Sequence, residues 1–436
     1  MAEIIEKGWY EPSPADWSVQ RMKNIMLPRE DKSVDGEEEL LSVTINEGII
    51  KRSEYLDEDE GTSRADSLVG YKVVSPTNLV NNIMKMSFRC LGVSKYEGIV
   101  SPAYSVFELN LSKIDSSYLN FLLRIDRYIA EYRKLSKGIQ ESRMRLYDDF
   151  FLAMKVVVPP LEEQKVISRY LDKKTKQIDS LIEKTQTRIA LLEEQRTSLI
   201  NHYVTKGLDT NVEMKDSGIE WIGHIPKHWT IQKLKYISTI ELSSVDRHEH
   251  DDEKKVKICH YPDVYRNEYI DSSSTLPVGT CSENEFEKFS LRRGDILLTK
   301  DSESPEDIGI PTLVLESLDD TVCGYHLAII RTRSSDIHPD YIYRYIESKN
   351  AKDYFFISSS GITRFGLGKG SIECLWVTIP PKDEQVILSK KISAISLTTK
   401  KLSERLLNRI NFLKEYRQSL ISSVVTGKVR VTESMK

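Results

Sequence analysis

The chain has 436 residues, and 62 basic against 66 acidic side chains leave a formal net charge of −4. That length exceeds one ordinary domain and predicts two or three. The near balance of charge excludes a surface that is one continuous basic footprint, so any nucleic-acid contact must come from local clusters or from charge shared with a partner.

The chain opens on MAEIIEKGWYEPSP, which has no apolar signal core. No run reaches the roughly 18 apolar residues that a membrane span requires, and a cytoplasmic location is expected. Residues of about 26–158 alternate short apolar strands with turns, among them YKVV at 71–74 and GIVSPAYSVFEL at 98–109. A helical stretch, YLNFLLRIDRYIAEYRKL, and a loop carrying basic and aromatic residues, KGIQESRMRLY, complete this half. Pro159-Pro160 then introduces a helix: a proline pair cannot sit inside one but can precede it, and Glu162 and Glu163 suit its positive N-terminal end. Leu171, Ile178, Thr185, Leu192 and Leu199 fall seven apart in it, with Leu181, Ile182, Ile189 and Tyr203 at adjoining positions. No proline or glycine interrupts the stretch before Gly207. The second half repeats the plan. Strands GDILLT at 294–299 and HLAIIRT at 326–332 precede a helical stretch, YIYRYIESKNAKDYFF, a glycine-rich loop, SSGITRFGLGKGS, and Pro380-Pro381. Ile392, Leu406, Leu413 and Leu420, flanked by Ile395, Leu402, Ile410 and Val424, form the second stripe, which ends near Gly427.

The two halves are frames of one repeat. Residues 159–205 match 380–426 at a constant offset of 221, with 17 of 47 positions identical. Residues 9–25 match 221–237 at an offset of 212, pairing Trp17 with Trp229 and Pro14 with Pro226. Between these frames lie two inserts of different length and sequence. A stripe sustained for about five heptads, on a helix about 68 Å long, cannot be buried alone. Two such stripes in one chain are expected to pair as an antiparallel coiled coil; the simpler reading packs each against its own globular half.

These residues resemble the specificity subunits of type I restriction-modification systems, over essentially the whole chain. The P-P-x-x-E-Q helix starts, the W-x-x-x-x-L/M-K openings at Trp17 and Trp229, and the KYEGIVSPAY strand carry the resemblance, the first two occurring twice at fixed spacing. It implies an α+β fold with two mixed α/β target-recognition domains, two long helices in an antiparallel coiled coil, and an internal pseudo-two-fold repeat. The implied segments are a first recognition domain at 1–158, a spacer helix at 159–208, a second recognition domain at 209–379, a second helix at 380–430 and a tail at 431–436. The family pattern further implies a non-catalytic chain. It reads a bipartite, asymmetric double-stranded DNA target and binds two adenine-methyltransferase (modification) subunits, with restriction (translocase-nuclease) subunits docking on the assembly. S-adenosylmethionine, ATP and Mg²⁺ belong to those partner subunits, and no cofactor to this chain. At 3.4 Å per base pair, one helical turn of 5.4 Å shifts a reader by about one and a half base pairs, so helix length acts as a ruler.

Candidate DNA contacts in the first half are Lys85, Arg89, Lys95, Tyr96, Arg143, Arg145 and Tyr147; in the second they are Lys300, Tyr325, His326, Arg364, Phe365 and Lys369. Arginine and lysine reach guanine edges or phosphates, and aromatics reach thymine methyls; ordinary surface charge is the competing explanation for each. Arg364, beside Phe365 in a glycine-flanked loop, is the foremost candidate. The repeated arginines Arg188 and Arg409, and Arg196 and Arg417, serve ion pairing or partner docking.

Other motifs read as decoys. Gly366–Ser371, GLGKGS, has its lysine at the wrong spacing for a phosphate loop and reads as a flexible loop. Pro339, Asp340, Glu347 and Lys349 imitate a P-D…E-x-K nuclease, but one short helix would carry them all, with Asp340 capping it. His248-Glu249-His250 sits in a charged, solvated stretch. Cys90, Cys259, Cys281, Cys323 and Cys374 include no C-x-x-C pair and read as thiols of a reducing compartment. The rival functions are an interaction scaffold with degenerate recognition domains, the specificity subunit of an orphan methyltransferase or a non-cleaving phage-defence system, and a self-contained nuclease.

Overall fold

In the computed structural model, which describes residues 14–54, 67–138, 144–209 and 211–431, the double prolines open two long helices, Leu161–Lys206 and Lys382–Val425. Both stop at the expected glycines. Gly207 and Gly427 adopt φ +76° and +75°, the left-handed conformation that ends a helix without a Cβ penalty. Space forbids a side chain at Gly427 as well, because a Cβ there would lie 2.3 Å from Pro14 Cδ.

The chain divides into two compact units, Met1–Thr185 with Asn408–Lys436, and Gln186–Leu407. Each owns the start of one long helix and the end of the other. Within the first, Ile167 and Leu171 of one helix and Ile421, Val424 and Val425 of the other join the same apolar core. Within the second, Leu388 and Ile392 share a core with Ile200 and Val204. The two helices run antiparallel in both. In the first unit Glu163 meets Arg430, just past the helix end, and Asp179 meets Arg417. In the second, Glu193 accepts from Ser403 at 3.3 Å and Arg196 Nε donates to Ser396 at 3.0 Å. The fold is therefore α+β, two mixed α/β domains with a coiled-coil helix pair.

The repeated residues explain how each domain is fixed to the helices. Gln164 is fully buried; its Nε2 donates to Pro159 O and Lys113 O, and its Oε1 accepts from Asp115 N. Gln385 does the same with Pro380 O, Asp336 O and His338 N. The indole N–H of Trp17 donates to Glu163 at 3.1 Å and that of Trp229 to Glu384 at 3.0 Å. Tyr118 Oη donates to Val157 O and to Val425 O, and Tyr341 Oη to Thr378 O and, at 3.5 Å, to Val204 O. Strand Ser18–Arg21 pairs with Lys155–Val158, and Thr230–Lys233 with Trp376–Ile379, in matching antiparallel register.

Between these clamps the domains diverge. The first carries a four-stranded antiparallel sheet in the order Met26–Pro28, Tyr104–Leu109, Leu79–Asn82, Leu91–Val93. The second has a five-stranded sheet ordered Ser238–Leu242, Leu327–Thr332, Ile296–Thr299, Pro311–Val314, Tyr269–Ile270, and a separate three-stranded sheet around Lys254–Cys259.

All twelve seam candidates are at least half-buried. Leu171, Ile178, Ile392, Leu406 and Ile410 are buried, while Ile182, Ile189, Leu192, Leu199, Leu402, Leu413 and Leu420 are intermediate. Thr175, Thr185, Ser396, Thr399 and Ser403 complete the buried face, and Thr175 and Thr185 satisfy their hydroxyls on carbonyls one turn back. Leu181, expected beside the seam, is instead 42% exposed.

Four sequence expectations need correction. The helical stretch of the first half is two helices, Ser116–Leu123 and Asp126–Leu135, because Ile125 is extended. That of the second half splits into Pro339–Ile346 and Lys349–Ser358, where Ser348 caps the new helix by accepting from Ala351 N. The 98–109 strand breaks into Gly98–Val100 and Tyr104–Leu109 around Pro102. GLGKGS is not a flexible loop: Gly366 pairs with Asp301 in a short strand, and Lys369–Glu373 is helical.

Replacing Gln385 by Ala leaves Pro380 O, Asp336 O and His338 N without their partner. Urea unfolding of the full chain should show a loss of about 1–3 kcal/mol, the cost of orphaning one fully buried group, Pro380 O, since the bonds to Asp336 O and His338 N are only partly buried; a loss below about 0.5 kcal/mol would show that the clamp carries no stability.

Candidate nucleic-acid interface

Two loops hold equivalent places in the two units. In the first, Lys137 and Arg145 exchange backbone hydrogen bonds and Leu146 N donates to Ile83 O at 3.0 Å. In the second, Ser360 and Gly366 exchange backbone hydrogen bonds and Leu367 N donates to Lys300 O at 2.7 Å. Each loop is thus closed at its base and pinned to the residue that follows a central sheet strand, Leu79–Asn82 or Ile296–Thr299.

The second loop borders a cleft of about 1050 Å³, lined among others by Tyr261, Asp301, Tyr325, His326 and Arg364. Asp301 is its hub. His326 Nδ1 lies 2.7 Å from Asp301 Oδ2, and Lys300 Nζ lies 3.3 Å from the same oxygen. Arg364 Nη2 rests 3.1 Å from Nδ1 and 3.2 Å from Nε2 of His326. The Tyr325 and His326 rings are 4.0 Å apart, and Lys300 Nζ sits 4.9 Å from the Tyr325 ring centre. Tyr261, also on the lining, stacks on Tyr265, whose hydroxyl donates to Asp307 at 2.9 Å. Burial, with Arg247 adding repulsion, holds the His260 imidazole below its ordinary pKa. A backbone hydrogen bond from His248 holds the Asp246 carboxyl low.

Carboxylates and cations alternate in this cleft, with Asp246, Asp301, Glu303 and Asp307 against Arg247 and Arg364. A phosphate would meet as much repulsion as attraction there. Base edges, which present donors and acceptors side by side, suit such a surface better.

Four sequence candidates, Lys300, Tyr325, His326 and Arg364, therefore come together. Phe365 adjoins them in the strand facing Ser302, whereas Lys369 stands apart, 3.6 Å from Glu241. In the first unit Arg145 and Tyr147 are exposed at the end of the pinned loop, and Lys85 is exposed before the short helix Met86–Phe88. Lys95 is exposed in a turn, while Tyr96 packs on a small core, with Lys51 Nζ 5.5 Å from its ring centre. Arg89, at φ +64°, pairs with Asp126 and lines a different cavity of about 640 Å³ with Arg124, Asp179 and Arg417. Arg143 lies outside the described residues. Sequence reasoning passed over Asp301 and Tyr261. Asp301 had one signal, its place directly after Lys300 at a strand end; Tyr261 had none.

Of the repeated arginines, Arg417 pairs with Asp179 at 2.9 Å and Arg196 with Glu347 at 2.6 Å, and Arg188 and Arg409 are exposed. The nuclease-like segment is divided by the helix break: Asp340 lies in the first turn of Pro339–Ile346, Glu347 at its C-terminal cap, and Lys349 in the next helix. Glu347 is committed elsewhere, to Arg196 and to the fully buried Arg344, which Glu268 also meets at 2.6 Å. Among the described residues no three His, Cys, Asp or Glu side chains are grouped to hold a metal ion, and no helix is long and apolar enough to cross a membrane. Glu347→Ala removes the carboxylate shared by the partly buried Arg196 and the buried Arg344, which keeps Glu268, and should cost about 1–3 kcal/mol of stability in denaturant unfolding. Unchanged stability with loss of an Mg²⁺-dependent DNA cleavage would contradict this structural role.

Residues 87–192 match the family described as type I restriction modification DNA specificity domain. A type I restriction enzyme specificity subunit of Methanocaldococcus jannaschii is 23% identical over 451 residues, covering 96% of this chain and 95% of that protein. A chain from a solved type I restriction-modification assembly shares the fold at a TM-score of 0.71 and 13% identity, over 96% of this chain and 99% of that one. The HsdS subunit from Thermoanaerobacter tengcongensis aligns at a TM-score of 0.55 and 14% identity, over 96% and 98%. With its duplicated clamps, paired long helices and two unlike domains, the chain is similar over nearly its whole length to a type I restriction enzyme specificity subunit, and residues 87–192 carry the match to the DNA specificity domain.

Proposed function

We propose that this chain reads a bipartite, asymmetric DNA target, one half-site per recognition domain, and holds adenine-methyltransferase and restriction subunits on it. The observation that carries this reading is the pair of pinned loops. Equivalent backbone hydrogen bonds tie Lys137 to Arg145 and Ser360 to Gly366, yet the residues so held differ in the two halves. One scaffold used twice with two different reading surfaces suits a target made of two different halves. Backbone contacts to phosphate would set position, and Arg145, Arg364 and their neighbours would supply base discrimination.

The chain itself is non-catalytic in this reading and binds no cofactor. S-adenosylmethionine, ATP and Mg²⁺ serve the partner subunits, two of them modification subunits. The long helices, of 46 and 44 residues, set the gap between half-sites. Four residues inserted after Thr185 add about 6 Å, slightly more than one turn. Motif mapping in cells carrying the native modification subunit should then show the gap longer by one or two base pairs with both half-sites intact. An unchanged gap, or altered half-sites, would contradict the ruler role.

A further inference from the structure

We infer that Asp301 and His326 are positioning residues that hold the Arg364 guanidinium ready to read one base pair of the second half-site. The inference rests on the DNA-reading role proposed above. Arg364 is exposed, on a loop whose tip includes the 95% exposed Ile362. A long, charged side chain in such a place would sample many rotamers, and ordering it on binding would offset much of what its contacts contribute. Here three features restrain it.

His326 is the first. It adopts φ +73°, unusual for a non-glycine residue. It lies immediately before strand Leu327–Thr332, and its ring carries the Arg364 guanidinium. Asp301 is the second. A carboxylate can only accept, so the 2.7 Å contact places the His326 proton on Nδ1 and fixes the ring. The third is the loop backbone. Asp301 pairs with Gly366 across the short strand, and a Cβ at Gly361 would fall 1.9 Å from Arg364 O, so the turn before Arg364 admits only glycine. A half-buried carboxylate is a poor neighbour for DNA. Its presence beside Lys300, His326 and, through the imidazole, Arg364 is explained by the need to order these side chains.

The test uses the full chain in complex with its modification subunit and DNA libraries randomised in one half of the mapped target at a time. Arg364→Ala should relax one base pair of the second half-site by about tenfold, the scale of one lost bidentate contact. Asp301→Asn should relax the same base pair by several-fold and leave the first half-site untouched, with melting temperature unchanged. His326→Asn provides a second variant, since asparagine tolerates the left-handed backbone, and should have the same effect. If Asp301 acts only as a repelling charge, Asp301→Asn instead tightens binding to all sequences with preferences intact, and the positioning role is overturned. It is equally overturned if both variants keep the wild-type preference. A wild-type complex with no base preference in either half would refute the DNA-reading role itself.

Discussion

The indole hydrogen bond at the head of each long helix organises the molecule. Trp17 on Glu163 and Trp229 on Glu384 lie where a helix begins, and each indole also faces the glycine where the other helix ends. Helix start, helix end and domain entry are thereby joined at one buried point. The neighbouring glutamine and tyrosine clamps spread the same junction over several backbone groups. A helix of more than 40 residues with a stripe of mixed leucine, isoleucine, threonine and serine has little stability alone. Its ends acquire stability by being parts of two domain cores, and the half-buried middle is left to the antiparallel partner.

That construction separates what must be constant from what is free to change. Every group in the clamps is either backbone or a residue repeated in both halves, so the domain between them can vary in length, sheet number and surface without disturbing the junction. The four-stranded sheet of the first domain and the five- and three-stranded sheets of the second illustrate the latitude. Even Glu347, at the position where the first half has Arg124, changes sign: it neutralises Arg196 and Arg344, whereas Arg124 donates to the carbonyls of Ile45, Asn46 and Leu91. In the proposed reading, where each domain presents a different surface to DNA, such freedom within a fixed frame is the useful property.

The frame was legible in the amino-acid sequence because its signals are local and repeated. Proline pairs, seven-residue spacing and terminal glycines mark the long helices, and the constant offset of 221 marks the duplication. Finer features were not legible. The breaks at Ile125 and Ser348 depend on extended dihedrals inside otherwise helical patterns. Leu181 has the right spacing for the seam, yet the packing turns it outward. The cleft was half legible: Lys300, Tyr325, His326 and Arg364 stood out by chemistry and loop position. Their meeting around Asp301 depends on sheet register and on a positive φ at His326, neither of which a residue pattern encodes.

The central claim is that this chain supplies the sequence preference of a DNA-modifying assembly. It is tested most directly by modification-sensitive sequencing of DNA from cells that express the native modification subunit with or without this chain. The account predicts methylated adenine in a split motif with a fixed gap, present only with the chain. Methylation that is absent or unchanged in both, despite a stable and methyltransferase-competent complex, would contradict it.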